Sequence, residues 1–447
     1  MADRIPSVAA AIAIASLLLI LTPEIVSSGL IPRFKLSPKA NKQIRDIFKD
    51  HATEFAGLAA DAIPSGGDGS ESSPSQAPAP TAGTYLITVG VGTPPQYVSG
   101  AFDVTSELVW VPCEVCPATR PPASDKAGVF RTLPGGLYAC GSSACRGTLQ
   151  QRCPSGGDSA CTYTCRYGGA GGLVTSGNLG AQVFTLGDST IENLKFGCGL
   201  EPAANYGVIG LNRWRLSLVT QLRLTRFSYY FAPEDDDDGA GGNGSFILFG
   251  EYAVPRTSDP RHTQFFRYND GAYGNLYLVG LSGVRVGGNV VSSTRTSSGS
   301  GSGGAPLVAY LSTSVPVTIL EKGTYELVKR EVMSAVGPET VDGASALGLD
   351  LCYRSQYLAS VELPAMALVF WDGAVMELQP RNYLYQDMAT GLECLTILPS
   401  SQDAGGLTLL GNLIQTGTHM IYDIERSRLV FESLDQPSKR PSSSSTA

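Results

Sequence analysis

Apolar residues in this chain come in short runs that alternate with polar ones and stop at glycine, proline or asparagine. Residues 85–96, YLITVGVGTPPQ, predict a strand closed by a Pro-Pro turn. Residues 161–188, CTYTCRYGGAGGLVTSGNLGAQVFTLGD, predict two strands joined by a glycine-rich tip, with Tyr167 beside it. The GGAGG of that tip lacks the Lys-Ser/Thr sequel of a phosphate loop and opens no helix. Helical spacing is confined to stretches such as LSLVTQL (216–222) and YELVKREVM (325–333). The chain therefore reads as all-β.

One stretch breaks the alternation. FDVTSELVWVPC, residues 102–113, sets Asp103, Thr105, Ser106 and Glu107 inside an apolar strand. GVIGLNR (207–213) follows it after about a hundred residues, and LSTSVPVTIL (311–320) is followed at a similar distance by LTLLGNLI (407–414). Each pair joins a polar, turn-forming loop on a strand to an apolar-apolar-Gly element. Two such halves predict a duplicated lobe with a site where the halves face each other.

The ends of the chain refine this picture. Arg4, an apolar run from Val8 to Leu21 and then Pro23 and IVSSG have the order of a secretory signal, so 1–28 is read as a signal peptide. That run is shorter than the ~20 residues needed to span a bilayer, and no membrane anchor is expected. Residues 29–82 open basic and helical in period and end in IPSGGDGSESSPSQAPAPTAG, a propeptide-like segment with a linker too polar to fold. The lobes are placed at 83–262 and 263–437, with a tail at 438–447.

Of 447 residues, 43% are apolar and 16% charged, with a net charge of −8. An acidic chain without a basic stripe argues against nucleic acid as a partner. The run Glu234–Asp238 reads as a solvated loop, and Asn243-Gly-Ser is a glycosylation acceptor. None of His51, His262 and His419 stands in a nucleophile-like context. Eight cysteines cluster in the first lobe: Cys113, Cys116, Cys140, Cys145, Cys153, Cys161, Cys165 and Cys198. Cys113-x-x-Cys116 raises zinc, but in a secreted chain eight clustered cysteines are read as four disulfides, with Cys165 tying the base of the hairpin. No metal and no cofactor are expected.

Taken in order, these motifs resemble the pepsin-like aspartic peptidases, in particular their plant nepenthesin-type branch. YLITVGVGTPPQ is similar to the opening strand and FDVTSELVWVPCEVC to the first active-site loop. CTYTCRYGG…TSGNLG resembles the flap, and FGCG…GVIGLNRWRLSLVTQL…FSYYF…ILFG the close of the first lobe. NLYLVGLSGVRVGG, then LDLCY…LPAMALVFWDGAVMELQPRNYL and LLGNLIQTGTHMIYDIERSRLVFE, resemble the second. The resemblance implies a bilobal fold with a cleft that takes an extended peptide or protein, and a monomer secreted to the apoplast or held in the vacuole. It also implies a Cys352–Cys394 bridge, Tyr167 as the flap tyrosine, and Ser106 and Thr313 as substrate contacts.

The family reaction uses one Asp per lobe, each followed by a hydroxyl residue and Gly. The two carboxylates share a proton, activate a water and polarise the peptide carbonyl. The first acid is kept as Asp103, but Val104 stands at the hydroxyl position. Thr105 stands at the Gly position, where a β-branched side chain is expected to strain or move the loop. Counting back from Leu320 and Tyr325 puts Ser312 at the second Asp, and no Asp or Glu lies between Asn289 and Leu320. Peptidase activity is therefore expected to be absent or strongly reduced. The alternative is a non-catalytic binder, such as the relatives of this fold that inhibit cell-wall xylanases.

Overall fold

The computed structural model describes residues 34–35, 37–38, 85–116, 128–145, 160–167, 173–201, 206–233, 244–267, 273–292, 306–343, 347–400 and 408–434. Residues 1–28 and 438–447, most of 29–82, the hairpin tip, Glu234–Asp238, Asn243 and Cys153 lie outside them.

Within the described residues each half of the chain builds its own sheet. The nine-stranded sheet of the first half runs from Tyr85–Val91 through Gln96–Asp103, Gly207–Gly210, Val109–Val115 and Ser189–Glu201 to the hairpin Leu173–Leu186 and Thr162–Tyr167. An eight-stranded sheet in the second half includes Leu278–Val286, Leu307–Leu311, Thr408–Leu410 and Thr318–Leu320. A six-stranded sheet joins them, because the final hairpin, Thr418–Asp423 and Arg428–Ser433, pairs between first-half strands Arg226–Tyr230 and Arg261–Gln264. Stacked aromatic rings fill it, with Tyr229 over Phe231 at 4.7 Å and Phe227 over Tyr422 at 4.5 Å.

Several strands are buried on both faces; Tyr85–Val91 exposes only one of its seven positions, Thr88. The longest helix among the described residues, Lys322–Val336, turns Tyr325, Val328, Val332 and Val336 inward at helical spacing. Glu321 caps it by accepting the N–H groups of Gly323 and Thr324 at 2.8 and 2.9 Å.

The same local device recurs in both halves. Gln96–Asp103 runs parallel to Gly207–Gly210 with Asp103 beside Gly210. Leu307–Leu311 runs parallel to Thr408–Leu410 with Leu311 beside Leu410, so Ser312 and Gly411 follow at equivalent ends. Both glycines have a steric reason. A Cβ on Gly210 would lie 2.6 Å from the Leu108 carbonyl, and one on Gly411 2.2 Å from that of Val317.

The cysteines depart from the expected four bridges. Cys113 is bonded to Cys198, Cys145 to Cys161 and Cys352 to Cys394, and Cys140 is also disulfide-bonded. Cys116 and Cys165 instead remain buried thiols. The strand that ends just before Cys116 and the strand carrying Cys165 are separated by two others, Ser189–Glu201 and Leu173–Leu186. At about 4.8 Å per strand that is well beyond the ~7 Å Cα limit of a disulfide.

Candidate active site

Asp103 sits at the end of its strand, 1% exposed. The Thr105 N–H and hydroxyl both donate to its Oδ1, at 2.8 and 2.7 Å, and the Ser106 hydroxyl donates to Oδ2 at 2.6 Å. The loop expected to be strained at Thr105 is not. Among the described residues, positive φ outside glycine occurs at Asn193, Arg223 and Ser427, so Thr105 needs no left-handed backbone. Its side chain is accommodated because the hydroxyl turns back onto the carboxylate.

Ser312 occupies the corresponding place in the second half and is fully buried. Its Oγ accepts the N–H groups of Ser314 and Val315 at 3.3 and 3.2 Å and lies 3.3 Å from the Ser314 hydroxyl. Those backbone donors would suit a carboxylate, but a neutral hydroxyl sits there.

Thr313 proves that the two loops meet. Its hydroxyl donates to the Phe102 carbonyl at 2.8 Å and accepts the Val104 N–H at 3.2 Å, across more than two hundred residues of sequence. The loops that carry residues 103 and 312 are therefore in direct contact. The brace runs in one direction only, because Val104 has no hydroxyl to return it and is buried among apolar side chains. Ser106 and Thr313, expected to touch substrate, are both buried with their hydroxyls spent inside the protein. Both hydroxyls hold the loops. Thr313→Val should cost about 1–3 kcal/mol in denaturant unfolding, since it orphans a buried N–H. Thr313→Ser should recover most of that loss.

Three residues that the motif comparison passed over complete the support. Asn212 Nδ2 donates to the Thr105 carbonyl at 3.1 Å and Asn412 Nδ2 to that of Thr313 at 3.0 Å. Gln415 Nε2 donates to the Ser312 carbonyl at 2.9 Å, while its Oε1 accepts the Tyr229 hydroxyl of the shared sheet. The asparagines follow the apolar-apolar-Gly elements directly or after one residue, a pattern visible in the sequence.

The other carboxyl of the first loop faces elsewhere. Glu107 Oε1 lies 3.8 Å from the Cys165 thiol, on the hairpin strand that ends at Tyr167. Burial raises the Glu107 pKa, and the Cys165 thiol only partly offsets this. Burial also pushes the Cys165 thiol well up, aided by the charges of Glu107 and Asp103. Tyr310, buried on the strand before Ser312, is raised by burial, then Tyr273 and Asp103, and stays protonated. Nothing in the sequence links Glu107 to Cys165.

The raised Glu107 has a signed consequence. Its contribution to stability is present below its unfolded pKa of about 4.5 and is lost as pH rises through the higher folded value. Glu107→Gln is therefore expected to melt higher than the parent at neutral pH, with the gap closing in acid. A constant gap from pH 3 to 7 would show that Glu107 is not the group responsible.

Tyr167 ends the hairpin strand opposite Leu173, and its side chain lies outside the described residues. No group of three or more metal-ligating side chains occurs among the described residues. Asp103 is thus a buried carboxylate held by donors of its own loop, with the buried Cys165 thiol and Tyr310 phenol within electrostatic range.

Comparison with known proteins agrees with this geometry. Residues 85–251 match the family model described as Xylanase inhibitor N-terminal, and 276–433 match Xylanase inhibitor C-terminal. The chain is 30% identical to aspartic proteinase nepenthesin-2 of Nepenthes gracilis, over 78% of this chain and 77% of that one. Nepenthesin-1 of the same plant is 29% identical over 78% of each. Among solved structures, conglutin gamma from lupine seeds aligns with a TM-score of 0.59 at 18% identity, over 79% of this chain and 92% of that one. Basic 7S globulin from soybean aligns with the same score at 21% identity, over 79% and 93%. The fold and the paired loops define a two-lobed, all-β protein of the pepsin type. The chain belongs to the pepsin-like aspartic peptidase family, in its nepenthesin-type branch.

Proposed function

We propose that this protein is a secreted family member in which peptide-bond hydrolysis is lost or reduced by orders of magnitude, while the cleft between its lobes still takes an extended peptide segment. The observation that carries this reading is Ser312, buried where the second carboxylate would face Asp103. A serine hydroxyl holds no negative charge at ordinary pH and offers no acidic proton. General acid–base help is worth about 10²–10⁴-fold per group, and groups acting as a unit fail together. Secretion is supported by the order of residues 4–28 and by four half-disulfides and more in the first lobe alone. Among the described residues no helix is long and apolar enough to cross a membrane.

The test is digestion of denatured globin from pH 2 to 7 by the purified, propeptide-free protein beside Asp103→Ala. Equal background rates are expected. Parent activity that disappears in Asp103→Ala would overturn the reading.

A second reading is favoured by one observation, the xylanase-inhibitor descriptions of both matching family models. Here surface loops rather than the cleft would engage a cell-wall-degrading enzyme. Titration against a panel of microbial xylanases separates the two. Stoichiometric loss of xylanase activity supports inhibition, and its absence together with peptide binding supports the first reading.

A further inference from the structure

The shared sheet carries a concave site of its own, lined by none of the residues of the paired loops. Asp423 ends the strand Thr418–Asp423, and the sheet register sets Arg226 directly opposite it on one side and Arg428 on the other. Arg426 reaches back from the turn. Its guanidinium and that of Arg428 each lie 3.2 Å from Asp423 Oδ2. Ile421 and Val430, one alternation along the same face, form an apolar floor, with His262 at the rim. Pro255 and Pro260 form the opposite wall, enclosing a cavity of ≈ 120 Å³.

Charge does not balance there. Three guanidinium groups surround one carboxylate, and an arginine is charged at any working pH. Asp423 is committed to Arg426 and Arg428. Burial alone would raise its pKa, but hydrogen bonds from both and the charge of Arg226 hold it below the usual value. Arg226 is half-buried, and its guanidinium makes no hydrogen bond or ion pair among the described residues, acting on Asp423 only through its charge. A planar, weakly hydrated fork held beside apolar walls, with two further cations already fixed in place, matches the needs of a tetrahedral oxyanion.

We propose that this pocket binds a small oxyanion of the phosphate or sulfate class, with Arg226 as its principal ligand and Arg426 and Arg428 held by Asp423 at the flanks. Such a ligand would neutralise the surplus charge and tie the final hairpin to strand Arg226–Tyr230. The site lies on the shared sheet and does not depend on whether the paired loops are catalytic.

Isothermal titration calorimetry on the full-length protein tests this. Inorganic phosphate and sulfate are titrated at constant ionic strength with chloride as the reference, and O-phosphoserine forms a separate arm. Saturable heats with phosphate or sulfate, weakened about tenfold or more in Arg226→Gln and unchanged in the remote Arg330→Gln, are expected. Binding of O-phosphoserine as well would assign the site to phosphate esters, and binding of the inorganic ions alone to free ions. Arg226→Lys, which keeps the charge but not the fork, should bind with intermediate strength and guards against a folding defect in Arg226→Gln. Heats indistinguishable from chloride, or binding that persists in a folded Arg226→Gln, would overturn the proposal.

Discussion

Ser312→Asp is expected to raise globin hydrolysis by about 10²–10⁴-fold over the parent, with an acidic optimum. The reason is geometric. Ser312 already accepts the N–H groups of Ser314 and Val315, donors that would serve a carboxylate there. Thr313 already holds the second loop against Phe102 and Val104, so the new acid would face Asp103 without a large rearrangement. Two buried carboxylates at such range share one proton, so the variant should also lose stability near neutral pH and regain it in acid. Adding Val104→Thr supplies the missing return brace and should raise the rate further. A folded Ser312→Asp that stays at background, alone and with Val104→Thr, would show that position 312 is not the counterpart of Asp103.

Removing the Cys113–Cys198 bridge by the double change to Ala is expected to destabilise the protein by about 4–5 kcal/mol. The bond closes a segment of 85 residues, and the chain-entropy relation gives a cost of that size. It leaves the strand Val109–Val115, which emerges directly from the Asp103 loop, anchored to Ser189–Glu201 by hydrogen bonds alone. Thermal melting should fall by about 6 °C. A shift under about 2 °C would mean that strand pairing and packing hold the segment unaided.

The loops could be found in the sequence because their chemistry is contiguous. Asp103 with its following hydroxyls, and the GVIG and LTLLG elements, are local patterns, and the family resemblance, counted back from Leu320 and Tyr325, set Ser312 at the second acid position. The absence of a second acid was equally local, since it needs only the residues between Asn289 and Leu320. Thr105 was misjudged for the same reason. A β-branched residue at a glycine position argues for strain, and only the fold showed its hydroxyl satisfied by Asp103.

Cysteine pairing depends on which strands neighbour one another, and no spacing encodes that. Eight thiols in one lobe suggested four bridges, yet two intervening strands keep Cys116 and Cys165 apart. The same holds for Glu107 beside Cys165 and for the arginines around Asp423, groups 58 and up to 202 residues apart in the chain. By itself the sequence determined the all-β, duplicated architecture and the loss of one carboxylate, because alternation, turn residues and short motifs are properties of neighbouring positions. Only the tertiary structure decided how the loops brace each other, which cysteines bond and where unbalanced charge collects. Those depend on strand order and register, which bring distant residues within a few ångströms through contacts that no local pattern records.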